Sequence, residues 1–89
     1  MQGLTPVRYG SGGVSCDAVD GDGTPVLFGY ACDMPRIKRF VHGLMTHGRK
    51  GVLYCFDFQE DAMKQVCRSQ VDIQCIDFEA VVRLLWESV

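Results

Sequence analysis

A chain of 89 residues has room for one domain and one hydrophobic core, so residues 1–89 are read as a single unit. A hydrophobic fraction of 47% beside 22% charged residues excludes a disordered polymer, and no apolar run approaches the length of a membrane-spanning helix. The net charge of −2 supplies no overall attraction to nucleic acid.

The first nine residues carry neither a basic stretch nor an apolar one, so no secretory leader is expected. Gly10-Ser11-Gly12-Gly13 reads as a flexible turn, and residues 14–19 as a strand. Asp20-Gly21-Asp22-Gly23 is a turn signal, and residues 24–32 are apolar and rich in strand formers. Together they predict a β-hairpin, with Pro25 early in the second strand, where a missing N–H is tolerated. The acidic turn is too short for a calcium loop and lacks a glutamate that would close the coordination shell.

Asp33, Met34 and Pro35 open a helix, with an acid at the cap and proline in the first turn. Ile37, Phe40, Val41, Leu44 and Met45 then fall on one face, and Gly48 stops the helix. Residues 51–56 form a continuously apolar run, which predicts a central strand covered on both faces. A second helix over 58–67 presents Ala62, Met63, Val66 and Cys67. A strand follows at 71–76, and Asp77 caps a last helix bearing Phe78, Val81, Val82 and Leu85. The predicted order is ββαβαβα. Strands that alternate with helices imply parallel crossovers, so the fold class is α/β with a mixed sheet, opened by a hairpin and flanked by three helices.

Five cysteines (Cys16, Cys32, Cys55, Cys67, Cys75) give an odd count without C-x-x-C spacing. That suits neither a disulfide framework nor a zinc ribbon, and implies buried thiols in a reducing, cytoplasmic setting. Cys32, near a basic helix start, is the one thiol with any nucleophile character, and it reads better as core. His42 and His47 are five apart and share no helix face for a metal; they read as exposed. Ser11-Gly12-Gly13 lacks the context of a phosphate loop. Tyr9, Tyr30, Tyr54 and Trp86 show no spacing for a base-stacking platform. Between positions 34 and 50 lie Arg36, Lys38, Arg39, Arg49 and Lys50 with no acid. This stretch suits phosphate contact, and equally the solvated side of an amphipathic helix.

Several segments carry a family resemblance in order. Gly10-Ser11-Gly12-Gly13-Val14-Ser15 looks like G-D-G-G-(I/V)-D, and the strand over 26–32 takes the place of one bearing Q-x-K. Phe40-Val41-His42-Gly43-Leu44 and Lys50-Gly51-Val52-Leu53 look like a helix followed by a K-G-V-(F/L) strand. Phe58 and Ala62 match F-x-x-x-A, while Ile76-Asp77-Phe78 and Leu84-Leu85 match a closing I-D-G and helix. Over residues 8–86 the chain thus resembles the Mrr-type restriction endonuclease domain of the PD-(D/E)xK superfamily, without that family's usual N-terminal helix. The resemblance implies a restriction-endonuclease-like core.

Catalysis in that family requires carboxylates on a divalent metal and a lysine beside the nucleophilic water. Here the metal-binding aspartate position falls on Ser15, and the second-strand positions fall on Gly29 and Ala31. The expected reading is a non-catalytic module without cofactor. It would bind duplex DNA through Arg36, Lys38, Arg39, Arg49 and Lys50, or mediate assembly with a protein partner or as a homodimer in a DNA-processing or defence context. An edge strand left open by the absent N-terminal elements would favour pairing by sheet extension. Two alternatives stand beside it. One is a small protein-binding or inhibitor protein, of phage or mobile-element type, on the same scaffold. The other is a Mg2+-dependent nuclease with a relocated site at Asp17, Asp33 and Lys38.

Overall fold

The computed structural model describes residues 3–30, 33–67 and 69–88. Helix α1 (Met34–His47) starts where the sequence says it should: the Asp33 carboxylate accepts the Arg36 amide at 3.4 Å, and proline occupies the first turn. It ends at Gly48, whose φ of 60° lets its N–H reach back to the carbonyls of Leu44 and Met45. Ile37, Phe40, Val41, Gly43 and Leu44 are buried, as the apolar spacing requires.

The five strands β1 (Thr5–Pro6), β2 (Ala18–Val19), β3 (Pro25–Phe28), β4 (Gly51–Phe56) and β5 (Val71–Ile76) form one sheet in chain order. β1, β2 and β3 pair antiparallel, whereas β3–β4 and β4–β5 are parallel. The result is an α/β fold with a five-stranded mixed sheet. A 3-10 turn (Asp57–Gln59) leads into α2 (Glu60–Val66), and α3 (Phe78–Glu87) follows β5. Alternate residues decide the faces. Leu27, Leu53 and Cys55 join Ile37, Phe40, Val41 and Leu44 of α1 and Met63 of α2 in one core.

Five expectations change. β1 is additional: two exposed residues without apolar alternation give no strand signal. The hairpin strands are shorter than expected: the second ends at Phe28, the end of its expected span (residues 31–32) lying outside the described residues, and the first begins at Ala18, because Ser11 and Val14 exchange backbone bonds across Gly12 and Gly13. This tight loop turns Val14 and Cys16 inward to the core ahead of β2. Helix α2 begins at Glu60 rather than position 58, and Ala62 is exposed. The central strand β4 has α1 and α2 on one face alone; Val52, Tyr54 and Phe56 on the other face are half-buried, with Phe78 at the start of α3 reaching the Phe56 ring.

The last helix departs furthest. Asp77 caps it, accepting the amides of Glu79 and Ala80, but α3 buries none of its residues.

Candidate functional site

The five basic residues do not form one surface. Arg36 pairs with the Asp17 carboxylate, whose second oxygen accepts the Phe28 amide at 2.9 Å. Arg49 donates to the carbonyls of Ser11 at 2.7 Å and Gly23 at 3.0 Å, stitching both N-terminal loops to the start of β4. Two of the five cations therefore hold the fold together, Arg36 in the first turn of α1 and Arg49 just beyond its C-terminal cap. Lys38, Arg39 and Lys50 are exposed. Lys38 joins Val41, His42, Met45, Gln65 and Val66 around a shallow depression between α1 and α2.

The relocated-site candidates are partly brought together. Asp17 meets the Arg36 side chain and Asp33 meets the Arg36 backbone, so both carboxylates gather on Arg36. Lys38 lies about 200° further round the helix from Arg36. No group of three or more His, Cys, Asp or Glu residues among the described residues is placed to hold a metal ion. Ser15 is exposed, Gly29 is buried against Leu53, and Ala31 lies outside the described residues.

The acidic turn is structural. Asp20 accepts the amides of Asp22 and Thr24, both at 2.9 Å, which folds the hairpin connection. His42 and His47 are exposed. Cys16 and Cys55 are buried and Cys67 is half-buried. Cys75 is exposed, contrary to its reading as a core thiol, because β5 is an edge strand; Cys32 lies outside the described residues. Burial pushes the Cys55 thiol up to about 12, reinforced by Cys75, whose Sγ lies 3.9 Å away. Burial also raises Cys16 and Cys67, and partial desolvation under its neighbours together with the Glu60 carboxylate raises the otherwise exposed Cys75. None of these four thiols is prepared as a thiolate nucleophile.

Two features escape the sequence reading. Gln59 is buried; its amide oxygen accepts the Phe56 N–H and its amide nitrogen donates to the Tyr30 carbonyl, each at 2.8 Å. The second is an aromatic set on the sheet face opposite α1 and α2. Phe28 stacks on Tyr30 and touches Tyr54, Tyr30 packs on Phe56 at 4.8 Å, and Phe56 meets Phe58 and Phe78 at 5.7 and 5.1 Å. Counting tyrosines and tryptophan alone misses it, because phenylalanines supply half of the adjacent β3 and β4 positions. The i, i+2 spacing of Phe28/Tyr30 and Tyr54/Phe56 is the signal that finds it.

From Phe78 the apolar surface runs onto α3. At 100° per residue, Leu84, Val81, Leu85, Phe78, Val82 and Trp86 span an arc of roughly 200°, while Glu79, Arg83 and Glu87 share about 80° on the opposite side. Trp86 is 82% exposed, Leu84 67% and Leu85 63%. No described helix is long and apolar enough to cross a membrane. Comparison with protein-family models, with curated proteins and with solved structures finds no match to this chain.

Proposed function

We propose that this domain is a non-catalytic assembly module, on the restriction-endonuclease-like plan that its motif order resembles, and that it works by docking to protein rather than to DNA. The observation that carries this reading is the uninterrupted apolar surface from the Phe56, Phe58 and Phe78 rings along α3. A ten-residue helix gains too little from its own hydrogen bonds to persist alone in water, so it calls for a covering partner. The basic residues offer less. Arg36 and Arg49 are spent on Asp17 and on two loop carbonyls, which leaves Lys38, Arg39 and Lys50 without a common groove. Neutralising so few phosphates gives weak affinity with only a shallow dependence on salt.

The test is titration of the full chain onto a labelled DNA duplex at two salt concentrations, with and without magnesium. Assembly through protein predicts no salt-sensitive binding and an intact duplex. Binding that weakens steeply with salt and is lost on Lys38→Glu with Lys50→Glu overturns the reading in favour of DNA. Magnesium-dependent cutting abolished by Asp17→Ala overturns it in favour of a nuclease.

A further inference from the structure

We infer that the partner covering α3 is a second copy of this chain, the two α3 helices packing antiparallel about a two-fold axis at the level of Val82, the middle of the helix. This rests on the assembly reading and names its partner. Phe58, Phe78, Val82, Leu84, Leu85 and Trp86 are each between 41% and 82% exposed. Together they present roughly 700 Å² of apolar surface, close to the ~800 Å² that each partner contributes to a standard protein interface. That exceeds the largest apolar patch of a typical monomer, about 300–600 Å². The exposed apolar area is therefore of the order that a stable dimer draws on, with the residues nearest the axis supplying the contact.

The arc contains no charged residue that would ask for a complementary charge on a different molecule. Glu79, Arg83 and Glu87 all stand on the far side, clear of a two-fold contact. A self-complementary face of this kind is what an isologous interface uses. The antiparallel arrangement also places each helix N-terminus beside its mate's C-terminus, which the helix dipoles favour. A lipid surface fits less well: the polar face holds two acids and one arginine, whereas helices lying on anionic membranes carry lysine and arginine there. Phe58 and Phe78, seated against each other at the root of α3, widen the contact beyond the helices themselves.

The test is sedimentation of the full chain over a wide concentration range, with emission from its single tryptophan, Trp86, read in parallel. A species of twice 9.9 kDa with blue-shifted emission, which dissociates to a monomer with red-shifted emission on dilution, is expected. Leu85→Glu and Val82→Lys should each weaken association at least about tenfold. Both side chains are exposed in the single copy, so the core is left alone and far-UV circular dichroism reports an intact sheet. Arg83→Glu, on the polar side, should associate as the parent does. A monomer at every concentration overturns the proposal, as does a dimer indifferent to both variants. If that monomer also leaves duplex DNA unbound, the assembly reading survives with a different protein as partner; if it binds duplex in a salt-sensitive way, both fall.

Discussion

Asp17 and Arg36 join the opening hairpin to the first turn of α1: the guanidinium pairs with the carboxylate, and the carboxylate's other oxygen holds the Phe28 amide at the end of β3. The two side chains are 20% and 40% exposed, so solvent screens part of the attraction and the hydrogen bond carries a comparable share. Asp17→Asn keeps an acceptor for Phe28 and should cost about 1 kcal/mol, while Asp17→Ala should cost about 2 kcal/mol. Urea unfolding of both variants separates the charge from the bond.

Arg49 and Lys50 are neighbours with unlike roles. Arg49→Met removes the donors to Ser11 and Gly23 and should destabilise by about 2 kcal/mol. Lys50→Met, at an exposed position, should stay within about 0.5 kcal/mol of the parent. Equal losses in the two variants would contradict the loop-stitching role.

Gln59 offers a sharper test because it both donates and accepts. In Gln59→Glu a carboxylate can still take the Phe56 N–H but faces the Tyr30 carbonyl with no proton to give. Protonation restores the donor, so the folded state would bind that proton more tightly than the unfolded chain. The stability lost at neutral pH should therefore be recovered in part as pH falls toward about 4. Thermal unfolding of parent and variant at both pH values reads the difference.

The Cys55 thiol gives an alkaline counterpart. It ionises near 9.0 when unfolded and only at about 12 when folded. Between these values the unfolded chain binds fewer protons, so this contribution to stability is complete below pH 9 and is lost as pH rises toward 12. Cys55→Ala should flatten the alkaline decline while costing about 1 kcal/mol at neutral pH for the emptied core space. Cys16, Cys67 and Cys75 shift in the same direction, so the decline is reduced rather than abolished.

Much of the fold is legible in the residues. Helix α1 declares itself through Asp33, Pro35, the apolar spacing and Gly48, since each acts within a few positions of its neighbours. Strand β4 is equally plain as a strand, but an unbroken apolar run does not say which faces the helices cover; that depends on both crossovers landing on one side. Arg36 and Arg49 show a different limit: an arginine that binds a carbonyl and one that binds a phosphate look alike in sequence, and only the fold brings Ser11 and Gly23 to Arg49. Gln59 is opaque for a similar reason, because Tyr30 lies 29 positions away.

Strand order equal to chain order bears on how the molecule is made. Cys55 and Cys75 are partners 20 positions apart, and Val26 pairs with Val52. Each strand that appears finds its mate already in place as the neighbour just before it, and no later segment has to be inserted between two earlier ones. Loop closure is short at every step, which favours rapid folding. The sheet can be laid down one strand at a time as the chain leaves the ribosome, α1 and α2 closing over each new edge before the next strand arrives.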